Sequence, residues 1–135
     1  MKLLDVEDIL EIHEYGIQNF SGLSGLRDDS IAKIESIVAH QYSVFGVDRY
    51  PDFFGKAAML LYYLAKGHCF PDGNKRVAIM AAIVMLDING YETIFTDDEG
   101  YEMTMEVANS SIPEENRDQY VRWLANWLQQ YSQPL

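Results

Sequence analysis

The chain has 135 residues, 48% of them apolar, and a net charge of −11. That length suits one compact domain with a real core, spanning residues 1–135, and leaves no room for two. The acidity argues against direct nucleic-acid binding, where a basic surface supplies most of the affinity, and fits either basic protein partners or plain solubility.

The opening "MKLLDVEDIL" carries acidic residues where a signal peptide needs its apolar stretch. "DVEDILEIHEYGIQNF" repeats Val6, Ile9, Leu10, Ile12 and Ile17 at helical spacing behind Asp5 as N-cap, which predicts a first helix. "SGLSGLR" (Ser21–Arg27) is a turn-rich break. Asp28, Asp29 and Ser30 then offer caps for a second helix, with Ile31, Ile34 and Val38 on its inner face. "SVFGVDRYP" (Ser43–Pro51) reads as a short hairpin or an extended flap. A third helix follows over Asp52–Gly67, with the glycine at its C-terminal end.

After a six-residue connection (His68–Gly73), "NKRVAIMAAIVMLDINGY" is apolar nearly all round, so this fourth helix is expected to be the central core helix, ending at Asn89-Gly90. Its longest apolar run, Val77–Leu86, is too short for a bilayer, which needs about 20 residues. "YETIF" (Tyr91–Phe95) is a candidate strand whose one evident partner is the flap. A fifth helix starts at Thr96 or Asp97. A sixth starts at Ser111, where Ser111 and Glu114 have capping-box spacing, and runs to about Gln130. Val121, Leu124, Trp127 and Leu128 face inward, and Trp123 is expected on the core with Trp127. The sum is an all-α bundle of about six helices, with the flap as a candidate short β-hairpin. The single cysteine, Cys69, permits no internal disulfide and fits a reducing, cytoplasmic setting.

The chemistry concentrates in the loop between the third and fourth helices, "HCFPDGNKR", His68–Arg76. Free backbone N–H groups and the positive dipole end at a helix N-terminus favour an anion. Gly73 lets the backbone approach a phosphate closely. Lys75 and Arg76 are two cations at a helix end that disfavours cations, a local conflict that a bound polyanion resolves. Asp72 suits Mg²⁺ held with phosphate oxygens, and Asn74 can donate to phosphate. His68 is the side chain that can take a proton near neutral pH. Phe70 reads as a core anchor for the loop. Together these point to phosphoryl or nucleotidyl transfer. A P-loop is excluded: Asn74 separates Gly73 from Lys75, no Ser or Thr follows, and a helix precedes.

"HCFPDGNKR" resembles the signature of the Fic/Doc superfamily, H-P-F-x-D/E-G-N-G/K-R, at His68, Phe70, Asp72, Gly73, Asn74 and Arg76. Lys75 makes it resemble the Doc (death-on-curing) branch. "SGLSGLRDDS", "KAAMLLYYLAKGH" and "RVAIMAAIVMLDINGY" resemble that branch's flanking segments, so the likeness runs from about Leu3 to Trp127. The resemblance implies the all-α Fic fold and the toxin of a toxin–antitoxin pair, with a cognate antitoxin as partner. It implies transfer of the γ-phosphate of ATP to a hydroxyl on a translation elongation factor. Carried over, His68 is the general base, Asp72 the Mg²⁺ ligand, Gly73 and Asn74 the anion nest, and Lys75 and Arg76 the phosphate holders. Most other Fic proteins transfer AMP. A lysine at position 75 favours the γ-phosphate, by turning the nucleotide round. A catalytically silent antitoxin-binding module is the third reading, and the complete motif argues against it.

Cys69 stands where the family has proline and reads as a small packed side chain. His13 and His40 lie in helical text without evident partners and read as structural. "SIPEEN" (Ser111–Asn116) matches S/T-x-x-x-E-G/N, an inhibitory pattern in some Fic proteins that would pair Glu115 with Arg76. A plain capping box is the commoner meaning. The segment Ser43–Pro51 fits a docking flap for a target strand and a plain connector equally.

Overall fold

A computed structural model describes the whole chain, Met1–Leu135. Six α-helices and one small sheet make up the fold. Helix α1 (Val6–Phe20) starts at Asp5, which forms a capping box with Asp8. Helix α2 (Ser30–Ala39) buries Ile34, Ile37 and Val38, while Ile31, expected inside, is exposed. The inward stripe starts one turn later than the sequence reading placed it.

Helix α3 (Phe53–Lys66), capped by Asp52, is the central helix, with ten of its fourteen residues buried. That place was expected for α4 (Asn74–Ile88). Helix α4 instead buries Val77, Ala78, Ala81, Ala82, Met85 and Leu86 on one side and turns Ile79, Met80 and Ile83 to a surface cavity. Its apolar character thus serves two faces with different tasks. Helices α3 and α4 pack closely on each other and the motif loop joins them, so the loop hangs from two packed elements.

The loop Ser43–Pro51 contains a tight hairpin. Val44 and Val47 exchange both backbone hydrogen bonds, at 2.9 and 3.0 Å. Phe45 and Gly46 take φ of 50° and 77°, as a two-residue type I′ turn requires. Buried Lys56 of α3 fixes its base by donating to the Gln41 carbonyl and the Asp48 carboxylate. Arg49 adds a 2.6 Å bond to Asp118.

Strand β1 (Tyr91–Thr93) does not pair with this hairpin. It pairs antiparallel with β2 (Ser132–Pro134), Tyr91 opposite Pro134. Helix α5 (Asp97–Asn109) has a Thr96/Glu99 capping box. The box expected at Ser111 is absent: Glu114–Asn116 form one 3₁₀ turn behind Pro113, and α6 (Arg117–Gln130) follows it directly. Val121, Leu124 and Leu128 are buried, and Trp127 packs on Phe95 at 5.1 Å between ring centroids. Trp123 is exposed, against Tyr120, and does not reach the core. No helix is long and apolar enough to cross a membrane.

Candidate active site

A cavity of about 660 Å³ opens beside the motif loop. His68, Asp72, Gly73, Asn74, Lys75 and Arg76 all line it. Ile79, Met80 and Ile83 of α4 and Tyr101 and Met105 of α5 form its apolar side. The volume suits a drug- or nucleotide-sized ligand, and polar groups on one wall with apolar groups on the other suit a molecule with a charged and an apolar end.

The loop is built around three residues whose side chains point inward. Phe70 is fully buried and stacks on the His13 ring at 3.7 Å between centroids, 4° from parallel. Cys69 is also fully buried, and burial pushes its thiol pKa up, so it is packed and unreactive. Its carbonyl accepts from Ser30 Oγ. The Asn74 amide closes on the backbone of Phe70, accepting from the N–H and donating to the carbonyl, both at 2.9 Å.

His68 leaves α3 with φ of 50°, a left-handed conformation uncommon outside glycine. Its carbonyl accepts from Arg27 Nη1 at 2.9 Å and faces Lys33 Nζ at 3.5 Å. Those cations hold the backbone while the imidazole makes no hydrogen bond and stays exposed at the cavity. Strained backbone of this kind persists where surroundings over-determine it, and it clusters at functional sites.

Gly73 takes φ of 79° and serves as the N-cap of α4, with no side chain to cap the helix. The N–H groups of Asn74, Lys75 and Arg76 carry no hydrogen bond; the first backbone bond of the helix is Val77 N–H to the Gly73 carbonyl. These are orphan donors at the positive end of a helix dipole. Lys75 Nζ has no partner and is exposed beside them. Arg76 donates through Nη1 to the carbonyls of Gly16 and Ser21, and its guanidinium lies 5.4 Å from the Phe20 ring centre. It ties the end of α1 to the loop and keeps Nη2 and Nε for another acceptor.

Asp72 is exposed. Its Oδ2 accepts from Leu23 N–H at 3.0 Å and its Oδ1 from Gly73 N–H at 2.9 Å. Those two bonds, Leu23 first, hold its pKa below the ordinary carboxylate value. Gly22 in the overlying turn takes φ of 129°, a conformation that favours glycine, and a Cβ there would lie 2.8 Å from Asp72 Oδ2. Each carboxylate oxygen keeps a second lone pair. The residues fit Mg²⁺ in its usual mode, one carboxylate completed by phosphate oxygens and water. No cluster of three or more His, Cys, Asp or Glu provides an all-protein cage.

The structure therefore gathers all six sequence-selected residues at one cavity. It also adds partners from outside the motif: His13, Arg27, Ser30 and the Leu23 amide. His13 has a partner after all, because its Nε2 lies 2.7 Å from the Asp72 carbonyl. Helical periodicity places His13 on an inward face and carries no signal that the face meets a loop 59 residues away. Segment Ser111–Asn116 does not line the cavity, and Glu115 forms no ion pair with Arg76, whose observed partners are the carbonyls above.

Orphan amides, a free lysine and an arginine at one helix end are groups that can hold an anion, and an exposed imidazole stands beside them. Residues 3–86 match the model of the Fic/DOC family, and the chain belongs to that family. It is 41% identical over 108 residues to a protein of Mycolicibacterium smegmatis named Toxin Doc, covering 78% of this chain and 79% of that one. It is 30% identical over 112 residues to a protein of Escherichia phage P1 named Protein kinase doc, covering 83% of this chain and 86% of that one. The chain is thus a homologue of Doc proteins over most of its length.

Proposed function

We propose that this protein is a Doc-type protein kinase and the toxin of a toxin–antitoxin pair, transferring the γ-phosphate of ATP to a hydroxyl of a translation factor. The observation that carries the reading is the unpartnered Lys75 beside three orphan amides, on the same cavity wall as His68. A second glycine at position 75, as in the AMP-transferring relatives, would leave that wall without its free cation.

In this reading the terminal phosphates of ATP lie on the N–H groups of Asn74, Lys75 and Arg76 and against Lys75 Nζ. The apolar face of α4 takes the less polar end of the nucleotide. Asp72 would hold Mg²⁺, and the ion would supply charge neutralisation at the phosphates. The acceptor hydroxyl approaches His68, whose imidazole takes its proton as the oxygen attacks the γ-phosphorus. The bond from that phosphorus to the β–γ bridging oxygen breaks, ADP departs with the electron pair, and phosphoprotein remains. Positioning and charge stabilisation supply most of the catalysis, because the protein has little covalent work in phosphoryl transfer. The partners are an antitoxin, which restrains the toxin, and the target, both met in the cytoplasm.

The test is a paired labelling experiment. Purified protein is mixed with bacterial lysate and Mg²⁺, once with γ-labelled and once with α-labelled ATP. A labelled protein band from the γ label alone is expected. A band from the α label would replace the kinase with an adenylyltransferase. No band with either label would move the protein to a silent antitoxin-binding module.

A further inference from the structure

His13 is outside the motif, on α1, and 4% exposed. Its ring is used on three sides. One face stacks flat on Phe70, with centroids 3.7 Å apart. Its Nε2 meets the Asp72 carbonyl at 2.7 Å. Its edge borders Gly73, where a Cβ would lie 3.5 Å from Nε2. A carbonyl oxygen can only accept, so Nε2 must carry the hydrogen. The carbonyl of Asp72 belongs to the same peptide plane as the Gly73 N–H. The orientation of that plane sets the left-handed turn at Gly73, and the turn aims the orphan amides of Asn74 and Lys75.

We propose that His13 is a positioning residue for the anion nest: by donating Nε2–H to the Asp72 carbonyl, it locks the Asp72–Gly73 peptide and so presents the α4 amides to the phosphates of the nucleotide. The inference rests on the reading of the cavity as an ATP site. His13 touches neither phosphate nor acceptor, so its removal acts on nucleotide affinity through the loop. The Phe70 stack keeps the ring flat under the loop, and the hydrogen bond fixes the peptide above it. The two contacts separate by mutation, because glutamine retains an N–H donor at a similar reach and methionine fills the space without one.

The experiment measures Mg·ATP binding by calorimetry for the wild type, His13→Gln and His13→Met, with melting temperatures alongside. His13→Met is expected to bind ATP about tenfold more weakly, the scale of one lost hydrogen bond, while His13→Gln stays within about threefold of wild type. Equal binding by all three, or equal weakening in both variants, would overturn the role of the donor. Should His13→Met fail to fold, the wild type decides through its ring tautomer, read by ¹⁵N–¹H correlation spectra: protonation at Nε2 is expected, and a neutral Nδ1–H tautomer overturns the proposal. The kinase reading fails separately. A wild type that binds ATP but transfers no γ-phosphate removes the kinase and leaves His13 in place, whereas a wild type that binds no ATP removes both.

Discussion

The side chain of Asn74 grips the backbone of Phe70 from both ends, each bond 2.9 Å long, and so closes the motif loop on itself. By residue type alone, the Asn74 amide can donate to phosphate. The geometry gives its amide to the loop and leaves its backbone N–H for an anion. Asn74→Ala removes both bonds and strands a partly buried N–H and C=O. It is expected to cost about 2 kcal/mol and to lower the melting temperature by roughly 5–10 °C. Asn74→Asp keeps the acceptor and loses the donor, so its loss falls in between. Thermal denaturation of the three proteins checks the order.

Asp72 makes acid stability a test of the loop. Its hydrogen bonds from Leu23 and Gly73 favour the ionised form in the folded state, so its folded pKa lies below the unfolded value. The contribution is then fully present above the ordinary aspartate value of about 3.9 and is lost as pH falls through the lower folded value. Wild type is therefore expected to lose more melting temperature between pH 6 and pH 3 than Asp72→Asn. Parallel curves for the two proteins would show that the carboxylate is not held in this way. At neutral pH, Asp72→Asn should also abolish the response of ATP binding to Mg²⁺.

Cys69 is fully buried with its thiol pKa raised by that burial. Ellman's reagent at pH 8 should leave the folded protein unlabelled for hours and titrate one thiol at once in denaturant. Rapid labelling of the native protein would mean that the segment beside His68 opens readily.

The loop was legible because its chemistry is local. A histidine, a carboxylate, a glycine and two cations in nine residues state a site without reference to the fold. Capping was equally readable where the side chain acts within its own turn, as at Asp5 with Asp8 and at Thr96 with Glu99. What stayed hidden depends on long-range placement. The spacing of Ser111 and Glu114 promised a cap, yet Pro113 and the 3₁₀ turn set the entry to α6 instead. The apolar letters of α4 do not say that Ile79, Met80 and Ile83 line a cavity while Val77 and Ala81 fill the core. The partner of β1 lies at the far end of the chain, beyond the reach of hairpin signals. His13 belongs to the same class: its helix is plain in the sequence, and its contact with Asp72 is not.

The central claim is that His68 takes the proton while the rest of the loop holds the nucleotide. His68→Ala tests it most directly. The side chain is exposed and makes no hydrogen bond, so the variant should melt within a few degrees of wild type and bind Mg·ATP about as well. Its γ-phosphate transfer should fall by at least about 10²-fold, the scale of a lost general base. Transfer at the wild-type rate by a folded, ATP-binding His68→Ala protein would contradict the account.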